Sequence, residues 1–140
     1  MNNKVKDYLS HNKSKNFNEL LFSYIDKGGY KDSEIYKKVD IDRKLFSKIR
    51  CNSSYIPRKN VIIKLCLSLR LEKHDFNKLL NSAGYSLRKS SEFDLVIAYC
   101  LDNNIYDLDI INDYLYSCTN AVLWQYFFCR FFRDPFLLKK

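Results

Sequence analysis

Four residues in the stretch DIDRKLFSKIRCN (40–52) have the types and spacing to grip a polyanion: Arg43, Lys44, Ser47 and Lys48. Wound as an α-helix, at about 100° per residue, they gather on one side with Arg50 beside them. Leu45, Phe46 and Ile49 fall within an opposite arc of roughly 100°, so that side is apolar and turned to a core. A guanidinium presents a planar fork of donors that matches a base edge or a phosphate, an ammonium is a mobile point charge, and a hydroxyl both donates and accepts. No carboxylate interrupts the polar side. Asp42 stands where an N-cap belongs, its carboxylate able to accept from the first-turn amides. This is chemistry of recognition, not of bond making. Lys and Arg also cover ordinary solvated helix faces, so the surroundings have to decide between the two uses.

Bond-making chemistry finds little support in the rest of the chain. There is no Gly-rich phosphate loop, HExxH or GxSxG. Asp107, Asp109 and Asp113 offer paired carboxylates, but capping and solvation explain them more simply. The five cysteines form no CxxC, and neither His11 nor His74 sits near a cysteine pair, so no zinc site is expected. Their odd number points to reduced thiols, most of them acting as small core hydrophobes. No catalytic residue, metal or cofactor is therefore expected, and an enzyme is not.

Positive charge is concentrated at the front. Residues 1–90 carry 20 Lys and Arg against 9 Asp and Glu, or +11, whereas residues 91–140 carry 4 against 7, or −3. This fits a polyanion-binding part followed by a part that does not bind. Hydrophobic residues make up 46% of the 140, enough to bury a core, and three Gly with two Pro are too few for a turn-rich β-sandwich. The opening MNNKVKDYLSHNKSKN lacks a signal peptide's apolar run. Nor is there an uninterrupted apolar stretch of about 18 residues to form a transmembrane segment. A cytoplasmic location is expected.

The elements that must position the cationic side follow from periodicity. Residues 1–16 read as a polar arm or a fraying helix, with Lys13 and Lys15 available to a phosphate backbone. Phe17, Leu20, Leu21, Tyr24 and Ile25 have helical spacing and end at Gly28-Gly29. Asp32 is placed to cap a short helix buried through Ile35, Tyr36 and Val39. Only Asp40 and Ile41 then precede the next cap, a link so short that the two helices must cross steeply. Asp tolerates the left-handed conformation such a turn can demand. After a loop, Asn60 to Leu71 form a strongly apolar central helix. A fifth helix buries Phe76, Leu79, Leu80 and Ala83 and stops at Gly84.

The run YKKVDIDRKLFSKIR (36–50), with Pro57 and NVIIKLCLSLRL behind it, resembles the core of the Cro/lambda-repressor-like (XRE) helix-turn-helix family. The likeness covers about residues 17–87 and is closest to a bacterial subgroup in which this unit is an accessory module of defence-associated proteins. It implies a helix-turn-helix domain over 17–87, with the helix that begins near Asp42 as the reading helix. The chain departs from the family at Tyr36, where a small Ala is usual, and at Asp40, where Gly is usual. It departs again at Arg50-Cys51-Asn52, where an acid followed by Arg-Gly commonly closes the helix.

A C-terminal helical extension is expected over 90–140. Ser91 and Asp94 form a capping-box-like start to a helix buried through Phe93, Val96, Ile97, Cys100 and Leu101. Asp107 caps another, with Leu108, Ile111 and Leu115 inward. The end of the chain is crowded with aromatic residues on every side of a helical projection, more than a small domain can cover alone. The fold class expected is therefore all-α: a five-helix helix-turn-helix unit followed by two or three additional helices.

The function expected is double-stranded DNA binding by a bacterial or phage transcriptional regulator. Arg43, Lys44, Ser47 and Lys48 would face base edges; Lys31, Arg50, Tyr55, Arg58 and Lys59 would hold phosphates. Trp124, Phe127, Phe128, Phe131 and Phe132 would form a homodimer or partner interface. The rival is a protein-interaction module on the same scaffold, either an anti-CRISPR-like counter-defence inhibitor or a defence-system adaptor. RNA binding is a third alternative, prompted by Tyr55 and the many other tyrosines.

Overall fold

The computed structural model describes residues 3–123, and among them the chain is all helical, with no strand. The elements are α1 (Asn3–Asn12), α2 (Phe17–Gly28), α3 (Asp32–Lys38), α4 (Arg43–Cys51), α5 (Lys59–Ser68), α6 (Lys73–Ser82), α7 (Glu92–Asp102) and α8 (Leu108–Thr119). None of the described helices is long and apolar enough to cross a membrane.

Short polar side chains start several of these helices by satisfying amides that have no partner within the helix. Asn16 Oδ1 accepts from the Glu19 N–H at 2.8 Å, Asp42 Oδ1 from Lys44 at 3.1 Å, Ser91 Oγ from Asp94 at 3.3 Å, and Asp107 Oδ1 from Asp109 at 3.0 Å. Asp32 differs from its expected role: Lys31 is the N-cap of α3, and Asp32 is the first helical residue.

Five of the described helices, α2, α3, α5, α6 and α7, end with one device. Gly29, Asp40, Arg70, Gly84 and Asn104 all have positive φ. After each, the next residue's N–H returns to a carbonyl five positions back: Tyr30 to Ile25, Ile41 to Tyr36, Leu71 to Cys66, Tyr85 to Leu80 and Ile105 to Cys100. This is the Schellman ending, and the returning residue is apolar in every case, so the stop signal also brings a side chain back to the core. Arg70 therefore ends α5 at Ser68, short of the Leu71 expected from hydrophobic pattern alone.

The core forms around α5, in which Ile62, Ile63, Leu65, Cys66, Leu67 and Ser68 are all buried. Phe17, Leu21 and Ile25 of α2, Ile35 of α3, Phe46 and Ile49 of α4, and Phe76, Leu79 and Leu80 of α6 belong to the same apolar cluster. So do Ile97, Cys100 and Leu101 of α7 and Ile111 and Leu115 of α8. Polar links join the same parts: Tyr106 Oη donates to the Leu71 carbonyl at 2.7 Å, and Arg70 lies 5.2 Å from the Tyr106 ring centroid. By contrast, α1 buries no residue. Burial drives the Cys66 thiol's pKa far up and that of Cys100 up to about 11, so neither supplies a thiolate near neutrality.

Candidate nucleic-acid interface

The link from α3 to α4 sets how α4 stands on the body. Asp40 takes φ 54°, and the Ile41 N–H bonds to the Tyr36 carbonyl at 2.9 Å. Val39 and Ile41, either side of Asp40, are both buried, which pins the turn at two points. Beneath α4, Phe46 meets Phe22 of α2 edge-on at 5.9 Å and Tyr36 of α3 at 5.4 Å. Each such ring pair adds about 0.5–1.5 kcal/mol beyond the area it buries. Tyr36 thus fills, half-buried, the position where a small residue was the family expectation, and its ring supports α4. At the far end, Asn18 Nδ2 donates to the Ile49 carbonyl at 2.5 Å, holding the C-terminal turn of α4 to the start of α2.

With that underside fixed, Arg43, Lys44, Ser47, Lys48 and Arg50 are all exposed. Among the described residues, neither Arg43 nor Lys44 is in an ion pair with an acid. Lys48 Nζ rests 4.4 Å from the Tyr55 ring centroid, a cation–π contact that braces the lysine and occupies the tyrosine's face. Lys31, at the N-cap of α3, and Arg58, at the N-cap of α5, are exposed.

Two of the expected phosphate-binding residues are engaged elsewhere. Lys59 points inward: its Nζ meets Asp94 Oδ2 at 2.6 Å, with 3% of the Asp94 side chain exposed. Breaking a buried pair costs about 3–5 kcal/mol, so Lys59 is firmly held to Asp94. Arg50 binds Asp32 at 2.6 Å and stacks 4.1 Å from the Phe22 ring centroid. That pair is largely exposed and worth only about 0–1 kcal/mol, so a phosphate can compete for Arg50. Sequence reasoning missed Phe22, and read Asp94 only as part of a capping box. Phe22 lies one helical turn after Asn18, on the stripe of α2 facing α4, a signal visible only once α2 and α4 are known to touch.

The arrangement amounts to a rigid cationic ridge with donors facing outward and no reactive group among them. It can bind and orient an anionic polymer. Among the described residues, no group of three or more His, Cys, Asp or Glu is placed to hold a metal ion. Trp124, Phe127, Phe128, Phe131 and Phe132, the expected partner interface, lie outside the described residues. No family model matches the chain, and neither a curated protein nor a solved structure is significantly similar to it.

Proposed function

We propose that the protein binds double-stranded DNA through α4, in the manner of a Cro/lambda-repressor-like helix-turn-helix regulator. The observation that carries this reading is the pairing of an outward face of Arg43, Lys44, Ser47 and Lys48 with an underside locked by Phe46 and Ile49. Arg43 and Lys44 read base edges from the N-terminal half of α4, and Ser47 and Lys48 extend the contact by one turn. Lys31 and Arg58, joined by a released Arg50, hold phosphates on either side and set register. The protein acts as a bacterial or phage transcriptional regulator in the cytoplasm, and its aromatic C-terminal segment supplies a two-fold contact, so that a palindromic operator matches the dimer.

The direct test is duplex affinity as a function of salt. With about three phosphates neutralised per site, affinity should fall roughly fortyfold between about 50 and 200 mM salt. An affinity indifferent to salt would sink the reading.

A second reading is a protein-interaction module in which a partner takes the place of DNA. It is favoured by an apolar groove between α7 and α8, where Leu95 and Tyr99 are 47% and 56% exposed beside Tyr114. Such a protein, whether a counter-defence inhibitor or a defence-system adaptor, would bind duplex weakly and without regard to sequence.

A further inference from the structure

The pairs α3–α4 and α5–α6 repeat one another 30 positions apart. Ile35 and Leu65, Val39 and Leu69, Ile41 and Leu71, Phe46 and Phe76, and Ile49 and Leu79 are all buried, and within each pair the numbers differ by 30. The turns match as well: Asp40 has φ 54° and Arg70 φ 52°, and Asp42 and Glu72 are the corresponding N-caps. At outer positions, Lys44 corresponds to His74, Ser47 to Asn77 and Lys48 to Lys78. Hydrogen-bonding groups on the outer face of α4 thus recur on the outer face of α6.

The α6 face borders a cleft of about 810 Å³. His74, Asn77, Lys78 and Asn81 line it from α6, and Ser14 and Lys15 line it from the link between α1 and α2. Among the described residues, no carboxylate lines it. The repeat is imperfect in one respect: Lys73, the counterpart of Arg43, is paired with Asp102 at 2.9 Å. Lys15 brings a replacement cation from the other wall. Asp75 faces α2, where its carboxylate accepts from Tyr24 Oη at 3.2 Å. Burial, followed by that carboxylate, pushes the Tyr24 hydroxyl up to about 12.

The two faces are separate. Asn18 and Phe22 of α2 touch α4, whereas Tyr24 touches α6 and Leu20 lines its cleft. Those stripes are two residues apart, or about 200° around α2, so α4 and α6 flank it on opposite sides.

We infer that the cleft between α6 and the α1–α2 link is a second nucleic-acid site. Lys15 and Lys78 hold phosphodiester groups, and His74, Asn77 and Asn81 face sugar or base edges. The kind of ligand is taken from the reading of α4, on which this inference rests; the site itself is independent of α4.

The test uses the full-length protein, a labelled duplex of about two helical turns and two double variants, Lys15→Glu with Lys78→Glu and Arg43→Glu with Lys44→Glu. The native protein should show two classes of duplex site, and each variant should lose a different one. The α6 class, which neutralises two phosphates through Lys15 and Lys78, should itself show a logarithmic salt slope of about −2. Should the first variant keep both classes and the native salt dependence, or the native protein show only one class that the first variant retains, the α6 site is overturned. Loss of one class in the first variant with no change in the second would instead remove the α4 reading and leave the cleft standing. Circular dichroism checks that all forms are equally helical. Lys15→Gln with Lys78→Gln serves the same comparison if charge reversal disturbs the fold.

Discussion

At Asp94 a carboxylate with 3% of its side chain exposed takes the Lys59 ammonium at 2.6 Å and the Arg88 amide at 2.8 Å. Without the carboxylate charge the Lys59 ammonium loses its counter-ion, and the enclosed group has little water to turn to. Asp94→Asn should therefore lower stability by about 3 kcal/mol, the low end for a buried pair because the Lys59 side chain keeps 21% exposure. Denaturant unfolding measures this, and an unchanged midpoint would mean that the pair contributes nothing. Residue roles of this kind were only half legible in the sequence. Asp42, Ser91 and Asp107 could be placed as caps because a cap bonds to amides two or three residues away. Lys59 and Asp94 are 35 residues apart, and no local pattern distinguishes a lysine that finds a buried carboxylate from one that faces solvent. The Asp94 partner of Lys59 and the Asp32 partner of Arg50 were illegible for the same reason.

Among the elements, the α3–α4 link decides whether α4 is presented at all. Asp40 holds φ 54° between two buried aliphatic residues, a conformation that a β-branched side chain resists strongly. Asp40→Val should cost about 1–2 kcal/mol, while Asp40→Gly should leave stability equal or improved. Thermal unfolding of the pair gives the comparison, and equal midpoints for Val and Gly would contradict the left-handed turn. Half-buried Lys64 lies near this turn: burial depresses its pKa, while the Asp40 charge acts against that depression. Helix existence was readable from apolar spacing, since α2 and α4 to α8 each bury two or more residues at helical spacing. Boundaries were less so. Arg70 is an uncommon left-handed residue, so nothing in its type announced that α5 stops at Ser68. The 30-residue repeat of α3–α4 in α5–α6 was equally hidden, because it lies in burial and turn geometry more than in residue identity.

At the scale of the whole molecule, charge and apolar surface are divided. Cations project from α4 and α6 on opposite sides of α2, whereas α7 and α8 leave Leu95, Tyr99 and Tyr114 exposed around a shallow groove. The front half's excess of positive charge was visible from composition; its division between two faces required the packing. The central claim is that Arg43 and Lys44 choose sequence as well as supply charge. Selection from random duplexes, run in parallel on the native protein and on Arg43→Ala with Lys44→Ala, tests it most directly. The native protein should enrich one palindromic motif, and the double variant should enrich none while keeping weak, salt-sensitive binding. Enrichment of the same motif by both proteins, or of no motif by the native one, would contradict it.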